Sequence, residues 1–336
     1  MKYRDIIRKA NAVNTNNKWW CDFLYHFSDV HNIVGILADG VIYGRRLVIN
    51  KSKMKSDNAS RAVINVTSEE TKEYARLYFR PKTPTQYHNE GYKPLAVRNK
   101  EINANCPVPV FLCLDMEEVL EQPEVFFVEK GMAGAGHALL QGIEEFEKLD
   151  FRKIYHSSYY DKSVEADIKE YRQSEVVKKG GISVEPYLKC ILCRSVAEKD
   201  TLLYLLKKNS IDLYNRYKGI IMYRPKLDCF YKNGIFIEDV SWNRERILIA
   251  LNDKAYRATT GDSTAITVSI DVHQCDKNNN IISINTYVGE YDYGTIEELF
   301  INLDLLNKVE YLTIKVKFDD CIMYENELDV REMAVF

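Results

Sequence analysis

Two late runs of strict apolar alternation, Ile266-x-Val268-x-Ile270-x-Val272 and Leu312-x-Ile314-x-Val316-x-Phe318, leave this chain little freedom in how its last third folds. Alternation with a period of two requires strands that bury one face. Asn278-Asn279-Asn280 turns the first run back into Ile281-Ile282-Ser283-Ile284. Thr295 and Glu298 have capping-box spacing, which predicts a helix carrying Ile296, Leu299, Phe300 and Leu303. Residues 232–336 thus read as a β-rich α+β extension. They carry 10 Lys or Arg against 19 Asp or Glu, whereas Gly44–Lys100 carries 13 against 5. The chain's net charge of −3 conceals this division, in which only the earlier segment attracts phosphates. The extension contains nothing with a catalytic pattern and is expected to pack on the rest as a structural addition.

The preceding residues mix both periods. Residues 1–18 are polar and basic and predict a helix or arm outside the core, while Trp19-Trp20 leads into a first core strand at Phe23-Leu24-Tyr25. Ser28 or Asp29 can cap a helix whose Val30, Ile33, Val34 and Leu37 form one stripe and which Gly40 ends. Pro109–Leu114 and Val125–Val128 are short buried strands by their apolar runs, and Leu139, Ile143, Phe146 and Leu149 mark a helix. Asp150–Lys169 has no strong period and reads as a long loop. Glu198–Lys208 reads as a helix and Gly219–Tyr223 as a strand. The expected division is an arm at 1–18, a domain at 19–231 and the extension at 232–336.

Chemistry concentrates in Tyr171-Arg172-Gln173-Ser174-Glu175-Val176-Val177. On a strand, Gln173 and Glu175 would share a face and point into one cleft. A fixed carboxylate beside a Gln suits the cleavage of a ribosyl bond, because the oxocarbenium-like transition state is positively charged. A solvated edge-strand Glu is the plainer alternative. His26 precedes a helix N-terminus, where main-chain N–H groups favour an anion such as a pyrophosphate; a structural histidine is the alternative there. Basic and aromatic residues interleave from Tyr74 to Tyr87, and Tyr155, Tyr159 and Tyr160 fall in the presumed loop. Such a pattern suits stacking on unpaired bases with phosphates neutralised, and suits ordinary packing as well.

Eight cysteines lie without framework spacing, and there is neither a signal peptide nor a long apolar span. A reducing, cytoplasmic setting with no membrane partner is expected. Cys190 and Cys193 would face opposite sides of one strand, so no metal site is expected.

The ordered set Tyr25-His26-Phe27-Ser28, the helix ending in Gly40, the isolated Arg61, Leu77-Tyr78-Phe79-Arg80-Pro81 and Arg172-Gln173-Ser174-Glu175 resembles the DarT family over about residues 25–231. The resemblance implies an ADP-ribosyltransferase fold: a split β-sandwich core with flanking helices, with Arg224–Tyr231 as its closing strand. It implies an enzyme that uses NAD as co-substrate, modifies thymine or guanine of single-stranded DNA and releases nicotinamide. It also implies a toxin paired with a macrodomain antitoxin. The residue roles it implies are catalysis by Glu175 and Arg61, and cofactor binding by His26, Phe27, Ser28, Gly35, Tyr43, Arg61, Tyr78 and Gln173. Nucleic-acid binding falls to Arg80, Tyr87, Tyr155, Tyr159 and Arg172. RNA or protein as the acceptor, and a non-catalytic nucleic-acid-binding module, are the alternatives. The chain departs from the family pattern in having Ser28 where Thr is expected and in carrying the acidic extension.

Overall fold

The computed structural model describes residues 2–13, 17–52, 55, 67–98, 104–132, 138–158, 161–257 and 263–332. Its centre is a sheet of β1 (Phe23–Asp29), β3 (Tyr74–Tyr78), β4 (Pro109–Asp115), β5 (Val125–Val128), β6 (Glu175–Lys179), β8 (Leu188–Cys193) and β9 (Ile221–Tyr223). The order is β5-β6-β3-β1-β4-β8-β9, and β2 (Val41–Tyr43) and β7 (Gly181–Ser183) form a separate pair. Only β8 and β9 run parallel within the large sheet. β1 pairs with β4 from Phe23 to Asp29 but with β3 only at Tyr25 opposite Tyr78. The sheet is therefore parted between β3 and β1, as a split core requires.

Alternation gives each strand two different faces. Leu24, Leu77, Leu112, Leu114 and Val176 lie on one, fully buried under helices α1 (Tyr3–Lys9), α2 (Val30–Asp39) and the helix at Val196–Asn209. Burying each such leucine contributes roughly 1.5–3 kcal/mol. The other face carries Tyr25, Phe111, Cys113, Cys190, Leu192 and Cys229. Cys190 and Cys193 fall in different core clusters, as their spacing on a strand predicts.

Several expectations are corrected. The expected N-terminal helix forms at Tyr3–Lys9 but does not lie outside the core, because α1 buries Ile6 and Ile7 in the main core and its first N–H groups donate to the Glu117 carboxylate. Leu139–Leu149 is not one helix; only Ile143–Phe146 is helical, and Leu140 instead pairs with Phe127 of β5. Asp150–Lys169 is no uninterrupted loop: it contains helices α3 (Phe151–Ile154) and α4 (Glu165–Tyr171). Arg224–Tyr231 is not a strand, since Pro225 starts a single 3-10 turn and Asp228 follows in the left-handed region.

The extension has its own core between a sheet β10-β11-β14 (Ile237–Trp242, Arg246–Leu251, Glu298–Asn302) and a sheet β13-β12-β15-β16 (Ile281–Asp292, Ala265–Cys275, Tyr311–Phe318, Cys321–Asp329). The alternating runs form β12 and β15, as expected. Glu298–Asn302 is a strand instead of a helix: Leu299 and Ile301 turn inward and Phe300 outward, so period-two burial overrides the local capping signal. Thr295 bonds Asp292 in the preceding turn. Tyr92 and Ala197 of the first part enter the extension's core, and Ser195 donates to the Ile237 carbonyl at 2.7 Å. The helix N-terminus at Ser195 and the strand β10 are thereby fixed to one another. Among the described residues, no helix is long and apolar enough to cross a membrane.

Candidate active site

Glu175 opens β6, where its partners are Tyr78 on β3 and Val128 on β5. Tyr25, Tyr78 and Glu175 thus lie in one cross-strand row, on one face. The Glu175 side chain is 3% exposed. One oxygen accepts the Met132 N–H at 2.9 Å, and the other stands 3.7 Å from the Arg76 guanidinium. Burial, with Glu175's negative charge next, drives the Tyr78 hydroxyl pKa upward, so this phenol stays protonated. Arg76 shares the face of Tyr78 and Glu175 because it lies two residues from Tyr78 on β3.

Gln173 reaches the same wall by a different route from the expected one. It lies in the turn between α4 and β6, not on the strand, with its N–H bonded to the Glu170 carbonyl. Its amide oxygen accepts from the Thr85 hydroxyl at 3.0 Å. Gly131 packs so closely that a Cβ there would stand 3.1 Å from the Gln173 Cβ. Gln173 and Glu175 therefore both border the segment Gly131-Met132, which positions one by contact and the other by an N–H.

His26 lies one residue beyond Tyr25, so alternation assigns it to the opposite face from Glu175. The parting of β1 from β3 nevertheless lets its Nδ1 approach the Arg76 carbonyl at 3.2 Å. Because a carbonyl can only accept, Nδ1 carries the proton and Nε2 presents a lone pair. Burial lowers the His26 pKa, outweighing the carbonyl bond, so the ring is neutral at pH 7. A neutral ring with an accepting Nε2 suits a sugar hydroxyl.

At the start of α2, where a pyrophosphate is expected, a carboxylate of the chain takes the helix N–H. Asp29, not Ser28, is the cap: its carboxylate takes the His31 N–H at 3.1 Å and faces the His31 ring at the same distance. Glu325 of the extension stands 3.6 Å from the other ring nitrogen. The Asp29 carboxylate thus occupies the positive end of that helix. Ser28 accepts from Asn32 at 3.3 Å, and Gly35 sits mid-helix beside open space. Phe27 packs on Phe111 at 5.2 Å, on the Tyr25 face. Tyr43 ends β2 opposite Gly181, under the Lys51 ammonium at 4.0 Å. It adjoins the Tyr74–Lys179 end of β3 and β6, roughly 13 Å along the strands from Tyr78. Arg61 and Tyr159 lie outside the described residues.

A cleft of about 550 Å³ opens beyond the end of β3, around Arg80. Arg80, Lys82, Arg172 and Lys226 line it with one carboxylate, Asp228, and the rings of Trp20 and Tyr231. Arg80 is 2% exposed and donates to the carbonyls of Pro81, Ile154 and His156, with its guanidinium 4.9 Å from the Trp20 ring centre. Burial and the nearby Arg172 charge both lower its pKa, to about 9, so it remains a cation at neutral pH. Arg172 lies 2.9 Å from His156 Nδ1. Tyr87 is 53% exposed and meets Tyr231 edge-on at 5.3 Å. Tyr155 is not available to a ligand: it is 2% exposed in the main core beside Phe151. The structure thus gathers Arg80 and Arg172 around the cleft, leaves Tyr87 at its rim and removes Tyr155. Glu175, Tyr78 and His26 do not line it. The sequence reading missed Arg76 as the residue between His26 and Glu175, although its spacing from Tyr78 signals a shared face. It missed Lys226 and Tyr231 because they lie in irregular chain.

The family model described as ssDNA thymidine ADP-ribosyltransferase, DarT, matches residues 25–223. No curated protein matches the chain. Among solved structures, DarT of Thermus sp. 2.9 in complex with NAD+ is 16% identical, with 63% of this chain and 98% of that chain covered at a TM-score of 0.44. The same protein in complex with ADP-ribosylated ssDNA gives 15% identity, 63% and 97% coverage and a TM-score of 0.47. With carba-NAD+ the values are 17%, 63%, 98% and 0.46. At these values the solved structures transfer no residue roles. The family model spans more than half of the sequence, and on that ground this chain belongs to the DarT family of single-stranded DNA thymidine ADP-ribosyltransferases.

Proposed function

We propose that this chain transfers ADP-ribose from NAD to a ring nitrogen of thymine in single-stranded DNA and releases nicotinamide. The single observation that supports the residue assignment is the Glu175 carboxylate, fixed by Met132 and Arg76 in one row with Tyr78. As the bond from the ribose carbon to nicotinamide breaks, its electrons leave with nicotinamide and the carbon becomes positive. Glu175 stabilises that charge, and being already fixed it needs little reorganisation during the reaction. The thymine nitrogen then forms the new C–N bond and its proton passes to solvent water. Gln173 holds sugar hydroxyls and Tyr78 walls the pocket, while His26, on the other side of the sheet, steadies the Arg76 carbonyl that it bonds. Arg61 steadies negative charge on the base. Holding base and sugar together supplies much of the remaining acceleration.

Unpaired thymines are favoured because extracting a base from a duplex costs a few kcal/mol. The transferase unit is residues 19–231 together with the packed helix at Tyr3–Lys9. Residues 232–336 act as a docked structural extension. The protein works in the cytoplasm as a toxin whose partner is a macrodomain antitoxin.

The test is incubation with labelled NAD and separate pools of single-stranded DNA, RNA and protein. Label on thymine-containing DNA is expected, with nicotinamide released in equal amount. Label on RNA or protein alone overturns the reading.

A further inference from the structure

We propose that Thr85 is a positioning residue for the transfer: its hydroxyl holds the Gln173 side chain so that the amide NH2, and not the carbonyl oxygen, meets the ribose of the dinucleotide. The inference rests on the reading of Gln173 as a sugar-binding residue and names what sets the sense of that contact.

Gln173 does not orient its own amide. It lies in the irregular turn before β6, and its flexible stem ends in a group that donates from one side and accepts on the other. The close approach of Gly131 fixes the root of the side chain, with a Cβ there standing 3.1 Å from the Gln173 Cβ and 3.8 Å from its amide oxygen. The Thr85 hydroxyl completes the restraint by donating to that oxygen at 3.0 Å. A carbonyl oxygen only accepts, so this bond decides which end of the amide is engaged. Among the described residues the Gln173 amide nitrogen takes no hydrogen bond, and it is not buried. The end left for a ligand is therefore the donor. Glu175, which borders the same segment, only accepts when ionised, so the wall the two share needs a donor if it is to hold hydroxyl oxygens.

Thr85 is held more firmly than the residue it serves. Pro84 begins the helix Pro84–Asn89, and the Thr83 hydroxyl caps it by accepting the Gln86 N–H at 3.2 Å. The buried Gln86 side chain accepts the Lys82 N–H at 2.6 Å and donates to Glu90 at 2.7 Å and to the Cys229 carbonyl at 2.9 Å. Glu90, fully buried, takes the N–H groups of Tyr231 and Lys232 at 2.9 and 2.6 Å. The chain that leads into the extension thus clamps the helix that carries Thr85, and a hydroxyl on a clamped element can fix a side chain on a turn. Thr85 also interacts with the Tyr78 hydroxyl, which interacts in turn with Glu175. One residue of this helix therefore touches two of the groups that wall the pocket.

The experiment is a double-mutant cycle on the full chain with Thr85→Val and Gln173→Ala, measuring kcat and KM for NAD and for an oligothymidine. Thr85→Val keeps the shape of the side chain and removes the hydroxyl. It is expected to lower kcat/KM for NAD by about threefold to tenfold, the worth of one neutral hydrogen bond, and to leave KM for the oligothymidine within about twofold. In the Gln173→Ala background the same substitution is expected to change nothing further, and Thr85→Ser is expected to restore kcat/KM to within about twofold of the wild type. A loss of equal size in both backgrounds makes Thr85 a packing residue and overturns the proposal. No loss, or a loss confined to KM for the oligothymidine, overturns it too. If thermal unfolding shows that Thr85→Val does not fold, Thr85→Ala takes its place in the cycle. Nicotinamide release by the wild type is measured first. If there is none, the ADP-ribosylation reading fails separately and the cycle is read on Kd for NAD by calorimetry, where additive effects overturn the Thr85 assignment; a chain that binds no NAD overturns both.

Discussion

His26 and Glu175 meet through Arg76: the imidazole Nδ1 lies 3.2 Å from the Arg76 carbonyl oxygen, and the guanidinium of the same residue lies 3.7 Å from the Glu175 carboxylate. The two groups face opposite sides of the sheet, so one residue on the strand between them must serve both. Its backbone carbonyl orients the imidazole and its side chain holds the carboxylate.

Replacing Arg76 by Leu separates the two functions. The carbonyl that orients His26 remains, while the cation beside Glu175 is lost. A fall in kcat of about tenfold to a hundredfold is expected, with a smaller change in KM for NAD, because a misplaced carboxylate weakens transition-state stabilisation. Steady-state kinetics checks this, and a change confined to KM counts against it.

Glu175→Gln keeps the size of the side chain and its acceptor for the Met132 N–H but removes the charge. Nicotinamide release should drop by on the order of a hundredfold to a thousandfold or more. Binding of an oligothymidine should stay within about twofold, since Glu175 does not line the basic cleft. Anisotropy and product assays on the same preparation provide the comparison.

His31 ties the first helix of the matched region to the extension through Asp29 and Glu325. Its pKa is raised to about 9, chiefly by hydrogen bonds with those carboxylates. A histidine whose folded pKa exceeds its unfolded value of about 6.5 contributes its full stability below the unfolded value and loses it as pH rises through about 9. At 1.36 kcal/mol per unit the shift corresponds to at most about 3 kcal/mol. On the acid side, the Glu325 pKa lies at about 2, so its share is present above about 4.5 and is lost as pH falls through about 2. Thermal midpoints should therefore fall between pH 6.5 and 9 in the wild type and much less in His31→Gln. Parallel curves for the two proteins would remove His31 from this role.

Tyr155 buries its hydroxyl in the main core without a hydrogen-bond partner among the described residues. Tyr155→Phe removes an unsatisfied polar atom and is expected to stabilise the protein by about 1 kcal/mol. Tyr155→Ala should cost about 3–5 kcal/mol through the cavity it leaves. Denaturant unfolding measures both, and oligonucleotide affinity should be the same in Tyr155→Phe as in the wild type. A loss of affinity in Tyr155→Phe would restore the stacking role that the sequence suggested.

What the sequence determined by itself was local or ordered along the chain. Alternation in Ile266–Val272 and Leu312–Phe318 specified β12 and β15, because a strand's side chains fall on its two faces whatever it packs against. The stripe Val30, Ile33, Leu37 with Gly40 beyond it specified α2 for the same kind of reason. The motifs around His26 and Glu175 indicated the family, and the family model matches over 25–223. Tertiary structure decided what depended on partners distant in sequence. The ladder from Arg246 to Ala250 made Glu298–Asn302 a strand against its capping signal. The core claimed Tyr155, and Glu117 drew the first helix into the body. Arg80, Arg172 and Lys226 share a cleft only because segments following β3, preceding β6 and following β9 meet there, and no periodicity records a contact between such distant segments.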